Sequence, residues 1–114
     1  MFFLTGASGY VGRAVQEMMA QRGHTLRVAA RSPQVGQRAD TVFYDMDQSD
    51  LPGMELLAGV SCVVHCAGLA HRRATPDKYQ RINVEASVKL AALAADSGAK
   101  HFIFLSSLNV VPVN

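Results

Sequence analysis

A chain of 114 residues, 49% hydrophobic and 18% charged, is long enough for one buried core and too apolar to be disordered. Its net charge of +2 gives no ground for a nucleic-acid or membrane partner, and no apolar run approaches the length of a membrane span. No basic leader with a cleavage site precedes the first apolar run, so no signal peptide is expected. Cys62 and Cys66 suit a reduced, cytoplasmic protein. A metal reading of that pair lacks two further ligands at suitable spacing.

Residues 1–4 are apolar throughout, as a strand buried on both faces should be. Thr5-Gly6-Ala7-Ser8-Gly9-Tyr10-Val11-Gly12 follows, with a glycine at every third position, and leads into a helical pattern over residues 10–22. Between a strand and a helix such a loop cradles a pyrophosphate. Gly6 allows the sharp turn, Gly9 keeps side-chain bulk off the phosphates, and Gly12 lets the helix pack closely on the sheet. The free N–H groups of the first helical turn then face the anion. Val11, Ala14, Val15, Met18 and Met19 form the expected apolar face. Gly23 stands where a left-handed C-terminal residue is wanted.

Residues 25–30 read as a second strand. Its tip, Ala30-Arg31-Ser32, has no carboxylate for an adenosine ribose. A guanidinium there suits a 2′-phosphate, which favours NADP over NAD, although a solvated loop arginine explains Arg31 too. Residues 33–39 are polar linker, 41–44 a short third strand, and 49–58 a short helix or loop interrupted by Pro52 and Gly53. Residues 61–66 form a fourth, apolar strand. His65 inside it reads as a packed or hydrogen-bonded core residue, because no neighbour in sequence would orient it as a catalyst. Residues 67–74 leave the carboxyl end of that strand carrying His71, Arg72 and Arg73. These cations are placed to approach a phosphate, or they simply make an exposed basic loop.

Thr75-Pro76-Asp77 is a good helix start: a hydroxyl cap, a proline, then an acid. One helix is expected over residues 75–97, with Ile82, Ala86, Leu90, Leu93 and Ala94 on its apolar face. A fifth strand follows over residues 101–106, then an exit loop over 107–114. Strands alternating with helices predict an α/β fold, a doubly wound parallel sheet of Rossmann type. Its five strands should run 3-2-1-4-5 with helices on both faces. The nucleotide would lie at the switch point between strands 1 and 4.

The chain resembles the extended short-chain dehydrogenase/reductases. Within them it is most similar to the NAD-dependent epimerase/dehydratase group and its UDP-glucose 4-epimerase-like members. The resemblance rests on the glycine loop, Asp45-Met46, His65-Cys66-Ala67-Gly68-Leu69, Tyr79, Asn83-Val84, and Phe104-Leu105-Ser106-Ser107 with Val110. It implies that Gly6, Ser8, Gly9, Tyr10, Val11 and Gly12 contact the dinucleotide. Asp45 would meet the adenine amino group and Met46 line its pocket. Cys66, Ala67 and Gly68 would face the central phosphates and the nicotinamide-side ribose. Asn83 would hold the active-site backbone, Leu105 and Ser106 would neighbour the nicotinamide, and Ser107 would be the catalytic hydroxyl. A Ser-Ser pair after a strand is also ordinary turn chemistry.

Three departures stand out. Ala30 replaces the strand-end aspartate of NAD-preferring members. Ala86-Ser87 replaces the usual Gly-Thr, and Val111-Pro112 the usual Tyr-Gly. The family's base is a tyrosine with a lysine four residues on, whose charge lowers the phenol pKa. Here Tyr10, Tyr44 and Tyr79 are followed at that spacing by Ala14, Gln48 and Asn83. The chain is therefore expected to be the N-terminal NAD(P)-binding part, residues 1–114, of a longer nucleotide-sugar epimerase or dehydratase, inactive alone. The alternatives are a non-catalytic NAD(P)-sensing regulator and a ketone reductase of the same superfamily. A fifth strand left as an open edge predicts self-association, and a homo-oligomer is expected.

Overall fold

The computed structural model describes residues 1–30, 40–44, 53–66 and 75–105. Five strands make one sheet: β1 Phe2–Thr5, β2 Leu26–Ala30, β3 Thr41–Phe43, β4 Cys62–His65 and β5 His101–Phe104. Their order is β3-β2-β1-β4-β5 and every neighbouring pair is parallel, as the alternating pattern predicts. Helix α1 spans Tyr10–Gln21, and a 3-10 turn spans Met54–Leu57. The expected helix over residues 75–97 is in three parts: α2 Pro76–Tyr79, a π turn Gln80–Glu85, and α3 Ala86–Asp96.

Strand alternation sorts the apolar side chains into two cores. Phe3, Ala29 and Val63 point to the face covered by Ile82, Ala86, Leu90 and Ala94 and by Leu56 and Leu57 of the 3-10 turn. Leu4, Val28, Cys62 and Val64 point to the other face, with Val15 of α1 packed over them. The register sets Phe3 beside Val63 and Thr5 beside His65, so all four share the α3 face.

The π turn has a packing reason. Ile82, Ala86, Leu90 and Ala94 are spaced by four, and all are buried. Four residues overshoot a 3.6-residue turn by about 40°. The wider i→i+5 turn removes that overshoot between Ile82 and Ala86, keeping Ile82 over the sheet. Apolar spacing alone had suggested an unbroken α-helix.

Helix α1 is also turned from its expected orientation. Val11, Ala14 and Met18 are exposed, while Gly12 and Met19 are buried and Val15 and Gln16 half-buried. The buried stripe lies about a quarter-turn from the one that apolar side chains alone define. Two contacts set the rotation: Gly12 seats on the loop backbone, and Gln16 Nε2 donates to the Ala7 carbonyl at 2.9 Å. Gly23, at φ +73°, ends the helix in the expected left-handed conformation.

Arg27 joins β2 to the 3-10 turn. Its Nη1 donates to the carbonyls of Leu56 (3.0 Å) and Ala58 (2.9 Å), groups a helix end leaves unmet. Its Nε sits 3.3 Å from Asp40 Oδ1, just before β3. At the opposite edge, β5 has no strand on its outer side among the described residues, and Ile103, Phe104 and Leu105 are substantially exposed, Phe104 by 51%.

Candidate functional site: the β1–β4 switch point

The glycine loop joins β1 to α1 as the sequence predicts. Gly6 turns the chain at φ +72°, a region that favours glycine. Gly9 N–H donates back to the Gly6 carbonyl at 3.1 Å, and Arg13 N–H donates to the Gly9 carbonyl at 2.9 Å, the first bond of the helix. A Cβ on Gly12 would fall 1.9 Å from the Gly6 carbonyl oxygen and 2.9 Å from Ala7 Cα. The close approach that Gly12 permits is therefore to the loop's own backbone, where packing on the sheet had been expected.

Gly9 differs from its two companions. It has an ordinary extended backbone, and a Cβ there would only touch the Gly6 oxygen at 3.4 Å. No described residue demands glycine at this position. Its exposure, beside exposed Ser8 and a Tyr10 that is 93% exposed, leaves open approach from solvent. No side chain caps α1, and no acidic residue lies in its first turn. Among the described residues the positive end of the helix thus has no side-chain partner and no compensating charge in its first turn, an arrangement that suits a phosphate.

Beside the loop, β1 and β4 are sheet neighbours whose following helices lie on opposite faces. Ligands of open parallel sheets bind in the crevice at this point. Thr5 Oγ1 is 2.6 Å from His65 Nδ1, and His65 Nε2 is 2.8 Å from Ser87 Oγ of α3. Cys66 N–H donates to Thr5 Oγ1 at 3.1 Å and to the Thr5 carbonyl at 3.3 Å. Leu105 N–H donates to the His65 carbonyl at 3.2 Å. The His65 ring is wholly buried, with the rings of Phe102 and Phe104 at 5.9 and 5.7 Å. Burial lowers its pKa from 6.5 to about 4, so it is neutral at physiological pH.

His65 is the hydrogen-bonded core residue that the sequence suggested, but it does not lack orienting partners, which corrects that expectation. Thr5 lies sixty residues before it and Ser87 twenty-two after, and only the fold brings them together. The signal for Ser87 was present: it is three residues before Leu90 and seven before Ala94 on the buried stripe of α3. A search for apolar residues passes over it.

Cys66 is half-buried at the exit of β4, and burial raises the pKa of its thiol, leaving it protonated. Asn83 is half-buried in the π turn, and Leu105 is exposed at the end of β5. Arg31, Asp45, Met46, Ala67, Gly68, Ser106 and Ser107 lie outside the described residues, as do His71, Arg72 and Arg73.

The sequence profile of the NAD dependent epimerase/dehydratase family matches residues 2–114. The chain belongs to this family. UDP-glucose 4-epimerase of Vibrio cholerae is 34% identical to this epimerase/dehydratase-family chain over 113 residues, taking in 94% of the chain and 34% of the relative. A 4-hydroxy-2-methyl-3-oxo-4-farnesyl-3,4-dihydroquinoline-1-oxide ketoreductase of Stigmatella aurantiaca is 29% identical over 109 residues, 92% of the chain and 33% of that protein. The chain thus spans about a third of the length of these two relatives. A short-chain dehydrogenase/reductase superfamily protein from Agrobacterium tumefaciens, crystallised with bound NAD, shares the fold with a TM-score of 0.79. The two are 29% identical, over 94% of this chain and 32% of that one. In the epimerase/dehydratase chain, as in doubly wound folds generally, the glycine loop opens at the switch point.

Proposed function

We propose that the chain binds NAD(P) with its pyrophosphate against the first turn of α1 and is the coenzyme-holding part of a nucleotide-sugar epimerase or dehydratase. The observation that carries this reading is the glycine loop. Gly12 is demanded by the loop's own backbone, Gly9 is not, and the uncapped helix end beside Gly9 is open. Its likeness to a UDP-glucose 4-epimerase supports a nucleotide-sugar substrate. Its likeness to a ketoreductase supports the second reading, a ketone reductase on the same scaffold.

Bound NAD(P) would supply a hydride donor and acceptor at its nicotinamide. The chain's own residues would bind and orient it. The α1 N–H groups take the phosphates, and Asp45 and Met46 take the adenine. Cys66, Ala67 and Gly68 line the path toward the nicotinamide, beside Leu105 and Ser106. Asn83 supports that backbone, and Ser107 hydrogen-bonds the substrate oxygen. No tyrosine of the chain has a lysine four residues on, so these 114 residues hold coenzyme without turnover. Arg31, with no strand-end carboxylate beside it, favours NADP, whereas the Agrobacterium relative holds NAD.

Titration with NADPH and NADH, followed by amide NMR, is expected to move the signals of Ser8 to Gly12, with NADPH binding more tightly. Unmoved signals with both coenzymes would end the coenzyme reading. UDP-sugar turnover by the chain alone would end the claim of inactivity.

We infer further that the protein is cytoplasmic, from its reduced cysteine pair, and that it associates with itself. The exposed apolar side chains of Ile103, Phe104 and Leu105 support association. Sedimentation should show a weight-average mass that rises with concentration. A monomer at every concentration would refute association.

A further inference from the structure

We infer that His65 is a positioning residue for the coenzyme site: through a buried hydrogen-bonded chain, Ser87–His65–Thr5–Cys66, it fixes the strand ends that face the dinucleotide. This rests on the coenzyme reading above and adds a determinant of affinity that does not itself touch the ligand.

Thr5, His65 and Ser87 are three buried polar side chains, and the rings of Phe102 and Phe104 lie against His65. Apolar residues of similar shape would hold the sheet to α3 about as well, because a fully paired polar set adds little net stability over an apolar one. A hydrogen-bonded set supplies direction instead.

That direction converges on one peptide unit, between His65 and Cys66. Its carbonyl accepts from Leu105 N–H at the end of β5, and its N–H donates to both oxygens of Thr5 at the end of β1. Both sides of the peptide plane are therefore held, and by different strands. The side chain of His65 then ties the same unit to α3 through Ser87. A neutral imidazole offers one N–H and one lone pair, so either tautomer closes the chain between two hydroxyls. Thr5 immediately precedes Gly6, and Cys66 is the first residue of the segment expected to face the phosphates. One set of bonds thus registers the glycine loop against the exit of β4.

The test uses the full chain and five proteins: wild type, Ser87→Ala, Ser87→Thr, Thr5→Val and Thr5→Ser. Dissociation constants for NADPH and NADH are read from nicotinamide fluorescence at neutral pH. Urea unfolding of each protein confirms that it is folded under those conditions, and hydrogen exchange is followed at the Cys66 amide. Ser87→Ala and Thr5→Val should weaken coenzyme binding about tenfold, roughly one lost hydrogen bond, and speed exchange at Cys66. Ser87→Thr and Thr5→Ser keep the hydroxyl and should restore both readouts. In wild type, coenzyme should also shift the His65 ring nitrogens, which needs no variant to fold.

Folded Ser87→Ala and Thr5→Val that bind like wild type would overturn the inference, as would His65 nitrogens that stay still while coenzyme binds. Wild type that binds neither coenzyme would instead bring down the coenzyme reading and this inference with it. The two failures are therefore distinguishable.

Discussion

Gly12→Ala should destabilise the protein by roughly 2 kcal/mol, even though alanine is the better helix former. Moving from glycine to alanine inside a helix ordinarily gains about 1 kcal/mol. Here the new methyl would lie 1.9 Å from the Gly6 carbonyl oxygen and within 3 Å of two further backbone atoms. No side chain can swing aside, so α1 must lift off the loop. Overpacking of that kind costs about 1–3 kcal/mol and sometimes more, and a collision of backbone with backbone belongs at the upper end. Steric cost therefore exceeds the propensity gain. Gly9→Ala is the control. Its methyl makes an ordinary 3.4 Å contact at a backbone conformation that alanine accepts. Its stability should stay within about 0.5 kcal/mol of wild type, while NADPH affinity falls. Urea unfolding and coenzyme titration of the two variants should give opposite patterns. Equal loss of stability in both would contradict the geometry.

Stability should fall on acidification through a window set by His65. The ring titrates near its ordinary 6.5 in the unfolded chain and at about 4 in the folded one, lowered by burial. Above about pH 6.5 both states are neutral there, and the histidine's contribution is complete. Between pH 6.5 and 4 the unfolded chain takes up a proton that the folded one refuses, so stability drops as pH falls. Below pH 4 both states are protonated and the contribution is gone. Each unit of difference is worth about 1.4 kcal/mol, so the whole window comes to roughly 3.5 kcal/mol. Among the described residues its direct partners are two hydroxyls and two phenyl rings, none of which carries charge. His65→Asn provides the comparison, since carboxylates elsewhere titrate in both proteins and cancel in the difference. Subtracting the unfolding free energies of the two across pH 4 to 8 should give a curve that rises to about pH 6.5 and is flat beyond. A difference that does not change with pH would show that the ring is not buried as described.

Much of the fold was legible because its signals are local. Five apolar runs, a glycine triplet between a strand and a helix, and Thr75-Pro76-Asp77 each declare an element without reference to the rest of the chain. The strand order follows from their alternation. What was not legible depended on contacts across the sheet. The rotation of α1 is set by a residue with no side chain, which an apolar count leaves out. The π turn answers a four-residue spacing whose meaning appears only once Ile82 must reach the same core as Ala94. His65 looked solitary because its partners are supplied by β1 and α3. The glycine loop was readable as a strand-to-helix turn with Gly6 at its bend, but the contact that demands Gly12 is to the loop's own backbone, which its spacing does not reveal.

The bond between Thr5 and His65 closes a loop of sixty residues. Contacts of such long sequence separation form late, after the entropy of bringing the two segments together has been met. A partly folded chain that has paired only β1 with β2 would display the glycine turn with nothing registered beneath it. Competence to hold a ligand should therefore arrive in one step, together with the docking of β4, and refolding monitored by coenzyme capture should lag behind the gain of helical signal.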